Sequence, residues 1–192
     1  MGRSVRGLVY VVLLVPLLFA STAVAQGVYI GGVYGSTSAS IVNSYYANGF
    51  DTTSQGYKLF VGYEFMPYLG IEGAWAYLGQ YATNPSVIPY AGWVNADGYS
   101  VSVVGNLPLG KVVTLYGTVG YAFWHAWLTG DARLLNLAVA YGFPLAATGS
   151  DPVYGAGLRL NFGNFAIQGG WERYDTTYVK ADFYSLGARY RF

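Results

Sequence analysis

The sequence contains no cysteine, only one histidine and little charge. Without cysteine there are no disulfides and no thiolate metal sites, and a single histidine among scattered aspartates offers no metal-ligand spacing. Neither a metal nor a cofactor is therefore expected. Charged residues make up only 10% of the chain and the basic ones are not clustered, which argues against nucleic acid as a partner.

Long hydrophobic runs are also missing after residue 25, so no transmembrane helix is expected there. The apolar run from Leu8 to Ala20 follows two arginines and precedes small residues that end at Ala25. A helix that crosses a bilayer needs about 20 residues, and this run is shorter. The pattern therefore predicts a secretory signal peptide over residues 1–25 and a single domain over residues 26–192.

Strict two-residue alternation is the strongest pattern that the sequence does contain, and it is clearest at the end of the chain. In residues 182–192, apolar residues occupy one face, and the other face carries Arg189 and Arg191. Arginines on a membrane strand have to face a polar interior, and a lipid-exposed sheet has to close so that its edges are paired. The pattern therefore predicts a closed transmembrane barrel.

Eight alternating segments of about ten residues, the length of a tilted membrane strand, follow the signal peptide. Their connections are alternately short and long, as in barrels with short turns on one rim and long loops on the other. The predicted fold class is all-β, an eight-stranded antiparallel up-and-down transmembrane β-barrel. The predicted strands are residues 27–36, 54–65, 68–79, 98–107, 112–124, 152–162, 165–174 and 182–192.

The predicted strands place large apolar residues on one face and small or charged residues on the other. A soluble barrel around an apolar pocket is the rival fold, but the face that it would expose to water carries few charges. Aromatic residues near both ends of the strands indicate two interfacial girdles. The predicted girdle residues are Phe65, Tyr68, Phe162, Phe165, Tyr190 and Phe192 on the turn side, and Tyr77, Tyr99, Phe123, Trp171 and Tyr184 on the loop side.

Six charged residues on the inward face are the candidate site. Charges in a narrow interior are costly unless they are paired, so these residues are expected to form an ion-pair network that leaves the lumen largely plugged. The alternative is a small pore, gated by exchange of ion-pair partners. We expect Glu72 or Glu172 to pair with Arg159. The six residues are Lys58, Glu64, Glu72, Arg159, Glu172 and Arg189.

Four motifs resemble the small outer-membrane barrels related to the transmembrane domain of outer membrane protein A. They are residues 28–32, 154–162, 170–175 and 184–192. The resemblance implies a Gram-negative outer-membrane location, and the chain is expected to contact lipid and lipopolysaccharide as a monomer. It also implies a terminal signal for the barrel-assembly machinery, carried by Tyr184, Leu186, Tyr190 and Phe192. The peptidoglycan-binding domain of many family members is not carried over to this chain.

An enzymatic function is the minority interpretation. His125, the single histidine, is expected to be an interfacial residue at the outer rim. Small barrels that modify lipopolysaccharide acyl chains use a histidine close in sequence to a nucleophilic serine, and no serine follows His125 directly. A lipopolysaccharide-modifying hydrolase would have to recruit Ser150 or Ser185. The chain is therefore predicted not to be an enzyme.

The long connections are the remaining candidates for contact with a partner or host surface. They are residues 37–53, 80–97 and 125–151, and within the last of these the stretch 133–147 is unusually apolar. Exposed apolar surface often marks an interaction site. The alternative, which we favour, is that the same stretch folds over the barrel mouth or extends the neighbouring strands. The favoured function is a structural or adhesin-like surface-interaction role.

Overall fold

The computed structural model describes residues 27–41, 52–84, 86, 88–140, 142, 144–175 and 179–192. The predicted signal peptide and most of the first long connection lie outside the described residues. Within the described part of the chain, no helix is both long and apolar enough to cross a membrane.

Eight antiparallel strands form one closed barrel in which each strand pairs with its neighbours in sequence and β1 pairs with β8. This confirms the predicted fold class. The turns at residues 67–68, 110–112 and 163–164 lie at one rim. The strands are β1 (Val28–Ile41), β2 (Thr53–Met66), β3 (Leu69–Ala82), β4 (Gly92–Leu109), β5 (Val113–Gly130), β6 (Ala146–Phe162), β7 (Phe165–Asp175) and β8 (Val179–Arg191).

The strands extend further on the loop side than the sequence pattern predicts. β4 and β5 pair without interruption from Leu109 opposite Val113 to Gly92 opposite Gly130. The outer parts of the predicted connections 80–97 and 125–151 are therefore strand, and the predicted bounds of these two connections were too wide. The membrane-type alternation fades beyond the lipid, because neither face has to be apolar there, yet the hydrogen-bonded ladder continues.

The third long connection contains a helix, α1 (Ala132–Ala140), that the sequence interpretation missed. Asp131 precedes it, a residue type favoured at helix N-termini, and Gly142 follows it with a φ of 74°. Leu134 and Ala138, one helical turn apart, are buried. Leu134 packs against Gly92, where an added Cβ would overlap its side chain. These end signals and the four-residue spacing could have revealed the helix.

Alternation along each strand separates a buried interior from an exposed apolar exterior, as predicted. Tyr29 and Phe183 point inward and are fully buried, whereas Ile30 and Tyr184 beside them in sequence are about half exposed. On the loop side, every strand carries an outward aromatic residue near the point where its apolar exterior run ends. We call these residues the outer girdle: Tyr34, Tyr57, Tyr77, Tyr99, Phe123, Tyr154, Trp171 and Tyr184.

Polar residues occupy the next outward positions on the loop side of the outer girdle on most strands. They are Ser36, Gln55, Asp97, His125, Arg173 and Asp182. Amphipathic aromatic rings favour the boundary between hydrocarbon and water. The outer girdle therefore marks the outer edge of the lipid, and the strand ends beyond it project from the membrane.

The narrow interior predicts that two glycines on opposite faces respond differently to the same change. A Cβ at Gly62 would overlap the ring of Tyr29, which is buried and bonded to Glu72, whereas a Cβ at Gly73 would meet nothing within 4 Å. We expect Gly62→Ala to lower the free energy of unfolding by about 1–3 kcal/mol. Gly73→Ala should cost nothing. Urea unfolding in lipid vesicles measures both, and equal stability of the two variants would contradict the packing described.

Candidate functional site

Lys58 is at the centre of the first of two ion-pair groups inside the barrel. Its Nζ lies 3.2 Å from Oε1 of Glu72 and 2.6 Å from Oε1 of Glu172. The hydroxyl of Tyr29 donates to Glu72 at 3.0 Å, and that of Tyr174 donates to Glu172 at 3.5 Å. One cation therefore bridges two carboxylates, and each carboxylate also accepts a tyrosine hydroxyl.

Glu64 is at the centre of the second group, nearer the turn side. Its Oε1 accepts a 2.7 Å hydrogen bond from Nη2 of Arg189 and lies 3.8 Å from Nη1 of Arg159. Arg159 also donates to Asn106 at 3.0 Å and to Gln168 at 3.3 Å. Here one carboxylate lies between two guanidinium groups, and two amide side chains supply further hydrogen bonds.

Tyr29 joins the two groups. Its hydroxyl binds Glu72 of the first group, and the guanidinium of Arg189 in the second lies 4.2 Å from the centre of its ring. The first group has one positive and two negative side chains, and the second has two positive and one negative. The excess negative charge of the first group cancels the excess positive charge of the second. The six residues together are therefore neutral, which lowers the cost of burying them.

The structure thus brings together the six residues that the sequence analysis singled out, but not with the expected pairing. The predicted contact of Glu72 or Glu172 with Arg159 was wrong, because Lys58 binds both of those carboxylates and Arg159 lies beside Glu64. Alternation along a strand determines which face a residue occupies. The residues that meet across the lumen depend on the stagger between strands, which alternation does not reveal.

Sequence reasoning also missed the polar side chains that complete the network. Asn106 donates to Glu64 at 3.4 Å and accepts from Arg159, and Gln168 accepts from Arg159. The signal was available, because both amides occupy inward positions of their strands. Arg191 was noted only as part of the last strand, yet its Nη1 lies 3.7 Å from Oε2 of Glu64. Its side chain is half exposed, in keeping with a place at the rim.

Apolar and aromatic side chains fill the loop-side part of the interior. A bulge between Tyr77 and Gly79 adds one residue to β3, and Tyr81 consequently faces inward. Tyr81 and Leu78 are buried, as are Phe183 and Ala181 on β8. The charged network therefore occupies one part of the interior and an apolar cluster occupies the other.

His125 lies on the outer wall at the loop-side rim, as expected for an interfacial residue. Its Nδ1 is 3.6 Å from Oδ1 of Asp97 on the neighbouring strand, too long for a hydrogen bond. Ser150 lines the same surface groove as His125, whereas Ser185 pairs with Gly35 and Gly170 on strands that do not adjoin β5. Among the described residues, no hydrogen-bonded serine, histidine and carboxylate relay is assembled.

The described residues also contain no group of three or more histidine, cysteine, aspartate or glutamate side chains that could hold a metal ion. The four residues of the predicted assembly signal are exposed: three lie on the outward face of β8, and Phe192 follows directly after that strand. They are exposed by 44–69%, and they are Tyr184, Leu186, Tyr190 and Phe192. That placement is compatible with recognition from the lipid side, and their role in assembly remains a prediction.

Comparison with known proteins gives a family match over almost the whole chain. A family model described as an outer membrane protein beta-barrel domain matches residues 10–192. The attachment invasion locus protein of Yersinia enterocolitica is 28% identical over 189 residues, which cover 92% of this chain and 98% of that protein.

Solved structures show the same fold at lower identity. The attachment invasion locus protein of Yersinia pestis, crystallised with the heparin analogue sucrose octasulfate, has a TM-score of 0.60 at 24% identity. That match covers 88% of this chain and all of the other. Neisserial surface protein A has a TM-score of 0.53 at 14% identity, over 86% of this chain and 97% of the other.

The second ion-pair group predicts a large loss of stability when its only carboxylate is neutralised. Glu64→Gln leaves Arg159 and Arg189 buried without a countercharge, so the free energy of unfolding should fall by about 3–5 kcal/mol. Asp175→Asn is the matched control, because it breaks only the exposed pair with Lys180, worth about 0–1 kcal/mol. Equilibrium unfolding in vesicles compares the two, and a loss at Glu64 no larger than at Asp175 would refute the network's structural role.

Proposed function

This chain belongs to the outer membrane protein β-barrel domain family and lies in the outer membrane, and we propose that it acts there as a surface-interaction protein with a closed lumen. The proposal includes export by a signal peptide over residues 1–25, a barrel domain over residues 26–192, assembly through the terminal strand, and a monomeric state. Its exterior apolar band contacts lipid and lipopolysaccharide. Catalysis is not part of the proposed function.

Burial of the inward side chains supports the proposed closed lumen. All six charged side chains of the two ion-pair groups have a partner of opposite charge. Their exposed fractions are only 4–12%. Eight-stranded barrels have interiors just wide enough for side chains to fill, while open porins use about 16–18 strands. A gate would require both ion-pair groups to break together with displacement of the apolar cluster. This favours a plug over the alternative of a small gated pore.

Helix α1 is the observation that carries the surface-interaction role. Its buried side anchors it to the ends of β4 and β5 through Leu134, whereas Leu137 is 40% exposed and Val139 is 59% exposed. These apolar side chains stand beyond the outer girdle, on the loop side of the barrel. Exposed apolar residues on an anchored element are typical of protein contact sites. We infer that α1 contacts a protein on a host or partner surface.

The relatives support a surface role, but the ligand of one of them is a polyanion rather than an apolar protein surface. One relative is named for attachment and invasion, and its counterpart in Yersinia pestis was crystallised with a sulfated heparin analogue. In this chain, the described residues on the loop side include five aspartates and three basic residues. Two of the basic residues, Arg173 and Lys180, are paired with aspartates. A polyanion would meet little free positive charge, so an apolar protein contact fits this surface better.

The proposed role predicts that adhesion depends on the exposed side of α1. The chain is displayed on a non-adherent Gram-negative strain, and bacteria bound to cultured epithelial cells are counted. The double variant Leu137→Ser/Val139→Ser should reduce adhesion about tenfold, the expected effect of removing apolar anchors from a contact site. The control Asn136→Ser changes an exposed polar residue of the same helix and should have no effect.

The amount of folded barrel in outer-membrane fractions is measured by its heat-dependent gel shift, and strains with equal amounts of each variant are compared. Adhesion that equals the empty strain for the unmodified chain would refute the proposed role. Adhesion that is lost equally in Asn136→Ser and in the double variant would refute the assignment to Leu137 and Val139.

A further inference from the structure

A groove on the outer wall, distinct from both the lumen and α1, gathers polar and aromatic side chains from three strands. Asp97 on β4 lies opposite His125 on β5, and His125 lies opposite Thr148 on β6. Ser150 follows Thr148 on the same face. Since paired residues of neighbouring strands point to the same side, a carboxylate, an imidazole and two hydroxyls converge above the outer girdle.

Two aromatic rings form the membrane side of this groove. Tyr99 and Phe123 lie opposite each other on β4 and β5, and they are 64% and 57% exposed. The groove has a volume of about 430 Å³ and is open to the outside. Typical small-molecule sites have volumes of about 300–1,000 Å³. The groove therefore has room for a small ligand that contacts apolar surface on one side and hydrogen-bonding groups on the other.

The imidazole of His125 is held in place by a stacked ring, and its contact with Asp97 leaves hydrogen-bonding capacity for a ligand. The ring of His125 stacks on Trp127, with centres 4.8 Å apart and an angle of 17° between the planes. Its contact with Asp97 is longer than a hydrogen bond, and about half of the side chain is exposed. A ligand hydroxyl could thus bridge the carboxylate and the imidazole, donating to one and accepting from the other.

Charge limits what the groove accepts. Neither lysine nor arginine lines it, and Asp97 would repel a phosphate or sulfate group. Two ligating residues are too few for a metal site. A sugar ring has an apolar face of C–H groups and a rim of hydroxyls, which match the aromatic rings and the polar cluster respectively. We propose that this groove binds an uncharged saccharide ring at the outer surface of the membrane.

The single histidine provides a direct measurement. With one histidine in the chain, the imidazole C–H signal in an NMR spectrum belongs to His125. The full barrel is refolded in a zwitterionic detergent that contains no sugar. Free maltose, lactose and N,N′-diacetylchitobiose are titrated in one arm. Dodecyl maltoside, which presents the same sugar anchored at the micelle surface, is titrated in the other.

A saturable shift of the His125 signal is expected. A shift in both arms identifies a site for soluble glycans, and a shift with dodecyl maltoside alone identifies a site for the sugar of a lipid headgroup; either supports the proposal. Asp97→Asn should weaken the affinity about tenfold, because a charged hydrogen-bond acceptor is lost. Gln55→Ala, on the opposite wall just outside the outer girdle, should leave the affinity unchanged.

The aromatic contribution has its own matched pair. Tyr99→Ala should weaken binding, whereas Tyr34→Ala removes a similarly exposed girdle ring from another wall and should not. Absence of a saturable shift with every neutral sugar would overturn the proposal. So would tighter binding of sucrose octasulfate than of maltose, or equal binding by Asp97→Asn and the unmodified chain. None of these results bears on adhesion through α1, so failure of this proposal is distinguishable from failure of the proposed function.

Discussion

Backbone hydrogen bonding in the absence of water is the constraint on which this structure depends. Within the hydrocarbon of a membrane, every N–H and C=O group has to find a partner in the protein, and a sheet meets that requirement only when it closes. Pairing of β1 with β8 closes the barrel here. Closure imposes the two-residue alternation on all eight strands, which gives each strand one face toward lipid and one toward a narrow interior.

The narrow interior in turn decides which residues it can hold. Glycines and alanines make space for the few large inward side chains, and Tyr29 occupies the space left at Gly62. The charged residues are retained as a neutral set in which Lys58 bridges two carboxylates and Glu64 bridges two arginines. Because the inward charged side chains are buried and paired, surfaces that can meet a partner include the outer wall above the girdle and α1. Both proposals concern these surfaces.

Much of this architecture could be predicted from the sequence because strand alternation is a local property. The inward positions of Lys58 and Arg159 follow from their neighbours in sequence alone. Their partners do not, since Arg159 meets Glu64 only through the stagger of the closed sheet. Helix α1 was missed because its apolar residues were interpreted by composition rather than by the spacing of Leu134 and Ala138. The outer groove was missed because Asp97 and Ser150 were assigned to loops.

A lumen filled by packed side chains is the central element of the proposed function, and single-channel recording tests it most directly. The barrel of residues 26–192 is refolded, verified by its heat-dependent gel shift, and inserted into a planar bilayer. A filled lumen should leave the membrane quiet at all salt concentrations. Steady, salt-dependent openings that a substitution at Arg159 or Glu172 abolishes would contradict it and would make the ion-pair network a gate.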